Sequence, residues 1–211
     1  MDGLEQRGSD ALPKRREPRT SRGRLTRQRI LDAAAVEFGN KGFYETSIVA
    51  ITSRAGVALG SFYTYFASKQ ELFEALVRHL SDGVRDAVVP AIEGISDPIG
   101  REGKALAAFL GFAREHREIY RIIDEAEFVA PDAWRHHYTS TAKRIEERLT
   151  QPSNGFDPGT GEIEAWAIMG MNVFLGLRSV LLDRDASDPA EIAARVARLL
   201  QRGLPGNGST P

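Results

Sequence analysis

The 211-residue sequence predicts an all-α protein, a three-helix head near the N-terminus followed by a larger helical bundle. Three observations carry this expectation. Apolar residues recur three and four apart almost from end to end, and no alternation of apolar with polar residues is long enough for a strand. The interruptions fall on Gly, Pro and polar capping residues, which divide the pattern into nine helices. A composition of 42% hydrophobic and 27% charged residues supplies a core of ordinary size.

The first helix is expected from about Thr26 to Lys41, with Ile30, Ala34 and Phe38 four apart and Gly42 as its C-cap. A short second helix follows Thr46, whose hydroxyl is a candidate cap, and ends at Ala55 before Gly56. The third spans about Ala58 to Phe66. Ser68 and Glu71 form a capping box for a long fourth helix with Leu72, Leu76, Leu80, Val84 and Val88 on one stripe. Gly94 to Pro98 ends it, and Leu106, Phe109, Leu110 and Ala113 mark the fifth. Ile119, Ile122, Ile123 and Ala126 mark the sixth. Pro131 opens the seventh, whose inner stripe is Trp134, Tyr138, Thr141, Ile145 and Leu149. A turn-rich loop at 151–161 precedes an eighth helix, about Glu162 to Leu182, that is apolar nearly all round. A ninth runs from about Pro189 to Gln201. The resulting division is a disordered basic arm at 1–24, a head at 25–70, a body at 71–203 and a disordered tail at 204–211.

Charge is distributed unevenly. The net charge is -1, yet the chain up to Phe66 carries 11 Lys/Arg against 7 Asp/Glu, and the remainder 17 against 22. The excess is densest in Lys14, Arg15, Arg16, Arg19, Arg22, Arg24, Arg27 and Arg29, a pattern expected where one end meets phosphates and equally of a solubilising tail. There is no cysteine, so disulfides, thiolate metal sites and cysteine nucleophiles are excluded. The start has no signal-peptide pattern, and the longest apolar run, Ala165 to Leu177, falls short of the ~20 residues of a membrane helix. A soluble, cytoplasmic protein with no membrane partner is expected.

A capped short helix, a Gly turn and a second short helix are the parts of a helix-turn-helix, whose second helix enters the major groove of duplex DNA. Ala55, Val57 and Phe62 are apolar where the two helices should cross, and Gly60 and Ser61 lack bulk for close approach. The run Thr46-Ser-Ile-Val-Ala-Ile-Thr-Ser-Arg-Ala-Gly-Val-Ala-Leu-Gly-Ser-Phe-Tyr-Thr-Tyr-Phe-Ala-Ser-Lys69, followed by Leu72 and Phe73, strongly resembles the DNA-binding domain of the TetR/AcrR family of regulators. Arg29-Ile-Leu-Asp-Ala-Ala and Phe38-Gly-Asn-Lys-Gly-Phe extend the match, which covers about Thr26 to Leu80. The resemblance implies that Thr46, Tyr63, Tyr65 and Lys69 contact phosphates and that Leu59, Gly60 and Thr64 face bases. Ser47 and Ser61 complete the expected DNA-binding set. Ala58 replaces a usual Ser or Thr cap, Ala50 a common acidic residue and Thr52 a common Ala, so a weaker cap and one phosphate bond fewer are expected.

The resemblance also implies a dimeric regulator, a repressor in the leading reading, whose body binds a small effector. A mainly apolar ligand is expected among Phe112, Trp134, Tyr138, Trp166 and Met169, with Asn172 or Arg178 as polar anchor. The small and apolar residues of the last two helices, Gly170, Phe174, Gly176, Leu177, Ile192, Val196 and Leu199, are the expected dimer interface on a near-palindromic operator. His116, His136 and His137 near Glu125 and Glu127 are read as exposed surface rather than a metal site, and no metal or cofactor is expected. Two other readings stay open: a ligand-independent DNA-binding protein, which would lack a cavity, and an all-helical enzyme, which would show no salt-dependent DNA binding. No Ser-His-Asp ordering, G-x-S-x-G or Walker sequence supports the enzyme.

Overall fold

The computed structural model describes residues 18, 20–151, 159–182 and 188–203. Most of the basic arm, the loop at 152–158 and the tail at 204–211 lie outside these residues. Among the described residues every regular element is helical: α1 (Ser21–Lys41), α2 (Ile48–Ala55), α3 (Leu59–Tyr65), α4 (Lys69–Ile92), α5 (Pro98–Glu115), α6 (Ile119–Val129), α7 (Pro131–Leu149), α8 (Glu162–Leu177) and α9 (Pro189–Gly203). A π-helical turn, Arg178–Leu182, continues α8.

Two boundaries differ from expectation. α1 starts five residues before Thr26, with Thr20 as its N-cap accepting from the Gly23 N–H at 3.1 Å, so residues 21–24 are helical rather than a disordered arm. Its first turns project beyond the core, as exposed Leu25 shows, and carry no apolar periodicity to read. The cap of α2 is Ser47, whose Oγ accepts from the Ala50 N–H at 3.1 Å. Thr46 is buried instead, and its hydroxyl is shared between the carbonyls of Gly42 at 2.7 Å and Glu37 at 3.1 Å. Ser68 caps α4 by accepting from the Glu71 N–H at 3.0 Å, and the Glu71 carboxylate reaches back to the Ala67 N–H at 2.6 Å.

One buried cluster runs through the head and into the body. Ile30, Phe38, Ile51, Phe62, Phe66, Phe73 and Leu76 join Ile122, Ala126 and Ala133 in it, so the expected boundary at residue 70 falls just inside α4 and within a continuous core. Phe38 and Phe43 pack on Phe73, with ring centroids 5.1 and 5.2 Å away. A second cluster joins α7, α8 and α9 through Ile145, Leu149, Ile168, Met169 and Leu200, and a third joins α5 to α9 through Leu106, Leu110 and Ile192. Between them Glu102 of α5, almost fully buried, receives Nε and Nη2 of Arg148, each at 2.8 Å.

With its π turn, the eighth helix spans Glu162–Leu182, long and apolar enough to cross a membrane by length and composition alone. One side, Ala165, Ile168, Met169 and Gly176, is packed into the protein, as expected of a core helix with a second apolar face.

Candidate nucleic-acid interface and internal cavity

Gly56 ends α2 in the left-handed region (φ 63°, ψ 41°), where other residues are disfavoured, and so turns the chain sharply into α3. Phe62, fully buried, anchors the inner side of α3. Ala58 stands at its N-cap and makes no side-chain capping bond, as its small apolar side chain requires. Leu59 with Tyr63 and Gly60 with Thr64 are four-residue pairs on the opposite face, and all four are exposed. A Cβ on Gly60 would meet nothing within 4 Å, so that face is open to a groove. Ser61 and Tyr65 are half-buried, and Tyr65 packs against the head core.

Two of the expected phosphate contacts are occupied within the protein. The Thr46 hydroxyl is buried, as described. Lys69 Nζ donates to the carbonyls of Phe43 (2.8 Å), Thr46 (2.9 Å) and Tyr44 (3.4 Å) and lies 4.5 Å from the centre of the Phe43 ring. An ammonium has three protons, and all are committed to closing the loop between α1 and α2. Buried Glu37 braces the same corner, receiving Lys41 Nζ at 2.8 Å and Arg54 Nε at 2.7 Å. Those bonds, Lys41's first, hold its carboxyl below the usual range. Glu37 carries no signal of this role in the sequence, because an acidic residue in an amphipathic helix reads as solvated.

The body holds a cavity of about 400 Å³, open on one side, between α4, α5, α6, α7 and α8. Of the expected effector residues, Tyr138, Trp166, Met169 and Asn172 line it, together with Val84, Phe109, Ile123 and Ile145. Phe112 and Trp134 do not. Phe112 sits one turn beyond Phe109, its ring tilted against His116 with centroids 4.3 Å apart, and Trp134 sits one turn before Tyr138, packed edge-on to it in the core shared with the head. Arg178 is exposed at the π turn and away from the lining.

His137 is a correction, because it lines the cavity rather than the surface. Its Nδ1 is 2.6 Å from Ser81 Oγ, which donates its own proton to the Val77 carbonyl at 2.8 Å, so Nδ1 is the donor in that pair. Burial first, then the positive charge of Arg144 and the neighbouring His136, push its pKa down to about 4, which keeps the ring neutral at pH 7. Among the described residues no group of three His, Asp or Glu could hold a metal ion.

α6 touches both regions. Ile119, Tyr120, Ile123 and Asp124 border the cavity, while Glu125 Oε2 accepts from the Phe43 N–H at 2.7 Å. Arg121 Nη1 donates to the carbonyls of Asn40 at 2.9 Å and Gly39 at 3.4 Å, at the end of α1. Gly39 is pressed against Glu118 with no room for a side chain.

The expected dimer residues divide into two sets. Phe174 (72% exposed) and Leu199 (60%) are exposed with Ile163 and Leu182, and Gly170 has open space beside it; Phe174 and Gly170 also border the cavity, at its open side. Gly176 is buried beneath the Tyr120 hydroxyl and the Phe109 ring, and Ile192 belongs to the core with Leu106. Val196 packs on two core clusters and Leu177 faces the cavity. For these four the small or apolar side chain serves packing within one chain.

The model for bacterial regulatory proteins of the tetR family matches residues 30–76, which contain α2, α3 and most of α1. The HTH-type transcriptional regulator YdgC of Bacillus subtilis is 28% identical over 194 residues, 90% of this chain and 97% of its own. The HTH-type transcriptional repressor KstR2 of Mycobacterium tuberculosis is 30% identical over 105 residues, and the match spans only about half of its length (52%) and 49% of this chain. A crystal structure of a TetR-like transcriptional regulator from Rhodococcus sp. RHA1 superposes with a TM-score of 0.65 at 28% identity, over 84% of this chain and 96% of that one. Residues 30–76 thus carry the DNA-binding head of the tetR family of bacterial regulatory proteins, and head and body together share the fold of a TetR-like transcriptional regulator.

Proposed function

We propose that the chain is a homodimeric, effector-controlled repressor that reads a near-palindromic operator with two copies of α3. Leu59, Gly60 and Thr64 would face bases, with Ser47, Ser61, Tyr63 and Tyr65 nearer the backbone. The exposed apolar side of α8, with Phe174 and Gly170, and Leu199 of α9 would form the two-fold interface. An effector in the cavity would then set the separation of the two heads. The observation that carries this reading is the double attachment of α6, bordering the cavity on one side and hydrogen-bonded to the α1–α2 junction on the other. The head at about 25–70 and the body at about 71–203 would act as the reading and sensing parts of one continuous core, in the cytoplasm where the operator lies.

Selection of bound sequences from random duplex DNA tests the reading. A two-fold symmetric site is expected, along with a dimer by sedimentation at micromolar concentration. An asymmetric site bound by a monomer would refute the dimer. Linkage adds a second check: a compound that releases the operator must bind more weakly, by the same factor, when the operator is present.

A further inference from the structure

Most of the cavity wall is apolar, yet its charges are unbalanced. Three guanidiniums, of Arg85, Arg144 and Arg148, border it against one carboxylate, Asp124. Two of the three are neutralised from behind. Arg85 pairs with Asp82 at 2.8 Å and Asp86 at 2.9 Å, and Arg148 makes its two-pronged bond to Glu102. Arg144 is different. No carboxylate among the described residues lies within ion-pairing distance, and its Nη2 donates to a hydroxyl, Thr141 Oγ1, at 3.0 Å. Thr141 gives its own proton to the His137 carbonyl at 2.8 Å, so it holds the guanidinium in place without neutralising it.

Arg144 is half-buried, and burial, with Arg85 and Arg148 beside it, depresses its pKa against the opposing pull of Asp82 and Glu147. Guanidinium remains protonated even so, which leaves a partly desolvated cation at a mainly apolar wall with no carboxylate among the described residues bonded to it. His137 is neutral and presents no competing cation at this wall. A planar guanidinium in that position suits a carboxylate or phosphate oxygen pair.

We propose that the effector is an apolar molecule carrying one anionic group, which binds with that group on Arg144 and its apolar body against Phe109, Ile145, Trp166 and Met169. This rests on the reading of the cavity as the effector site and adds to it the chemical class of ligand and the residue that selects it.

The test uses the full chain in a Trp134→Phe background, so that the fluorescence of Trp166 reports on the cavity. The probes are laurate, lauryl alcohol, methyl laurate and lauroyl-coenzyme A, all below the concentration of micelle formation. Laurate is expected to bind at least about tenfold more tightly than the alcohol or the ester, the scale of one charge-assisted hydrogen bond. Arg144→Gln should bring laurate to the level of the alcohol and leave alcohol binding unchanged, which shows an intact cavity. Arg144→Lys should retain part of the preference. Equal binding of laurate, alcohol and ester, or a laurate preference that survives Arg144→Gln, overturns the anion anchor while the apolar cavity stands. Tighter binding of lauroyl-coenzyme A that is indifferent to Arg144→Gln also overturns it, by placing the anion elsewhere. Failure of all four probes to bind removes the anchor and the effector reading together.

Discussion

Replacing Lys69 by Met distinguishes a lysine that closes the head from one that touches DNA. Met keeps most of the stem and removes the charge. The ammonium makes two short bonds to carbonyls, at 2.8 and 2.9 Å, and a longer one at 3.4 Å. Each short bond to a charged donor contributes ~1.5–3 kcal/mol where water is excluded, and the contact with the Phe43 ring adds ~0.5–1 kcal/mol. Lys69 is only half-buried, so water recovers part of this, and a net loss of about 2–3 kcal/mol is expected. For a chain of this size that lowers Tm by roughly 5–10 °C in thermal unfolding followed by circular dichroism. The second readout is operator affinity as a function of salt. A lysine that touches no phosphate leaves the slope of log K against log salt unchanged, whereas two lost contacts per dimer would reduce it by about 1.8. An unchanged Tm together with the smaller slope would refute the assignment of Lys69 to the loop.

Thr64→Ala should relax discrimination at one position per half-site by ~1–3 kcal/mol in a binding-site selection, with little effect on Tm because Thr64 is exposed. Phe174→Arg should dissociate the dimer in sedimentation without unfolding the chain. Gly176→Ala should instead lower stability by ~1–3 kcal/mol in denaturant unfolding, since the added methyl meets Tyr120. His137 has a folded pKa of about 4, below the ~6.5 of the unfolded chain, so the native state binds fewer protons between these values. Its contribution is present above pH 6.5 and is lost as pH falls toward 4, at most about 3 kcal/mol, and His137→Gln should flatten that part of the stability curve. Glu125→Ala should leave ligand affinity in the absence of DNA unchanged and reduce ligand-driven operator release, read by fluorescence anisotropy of labelled DNA.

The helices were legible because burial imposes a period on the sequence, and the exceptions occur where burial is absent. The first turns of α1 project past the core and carry no stripe, so their helicity rests on the Thr20 cap. The exposed face of α3 was legible at Leu59, Gly60, Tyr63 and Thr64, because a short helix anchored by Phe62 must expose the residues on its other side. Thr46 and Lys69 were misplaced for one shared reason. A polar residue at a helix start can serve a phosphate or a nearby carbonyl equally well, and only the path of the α1–α2 loop decides between them. The cavity was half legible. Tyr138 and Trp134 lie on one stripe four residues apart, and periodicity cannot tell which of them borders a void, as Tyr138 does, and which packs only in the core shared with the head. Gly176 was read as an interface residue because small size signals close approach without naming what approaches, here the Tyr120 ring of the same chain.

The placement of α6 decides what kind of signal can leave the cavity. A ligand shifts an equilibrium only by the difference in its affinity for two states, so some cavity residue must move when the head moves. Ile119, Tyr120 and Ile123 satisfy that condition, because they share a helix of 11 residues with Arg121 and Glu125. At the head end the contact has little slack: Gly39 is against Glu118, and the Phe43 N–H is held by a carboxylate at 2.7 Å. A packed contact of this kind transmits displacement rather than absorbing it. The same loop carries the carbonyls that bind Lys69, the first residue of α4, and α4 borders the cavity again at Val84 and Val88. Head and cavity are therefore joined by two helices that meet at one corner, and a ligand that separates α4 from α6 must strain the Glu125 and Lys69 bonds together. Each bond is individually modest, but coupling energies of ~1–3 kcal/mol are enough for a 5- to 150-fold change in operator affinity. Regulation through this corner then requires no large rearrangement of the body, only a displacement that one corner cannot accommodate in both states.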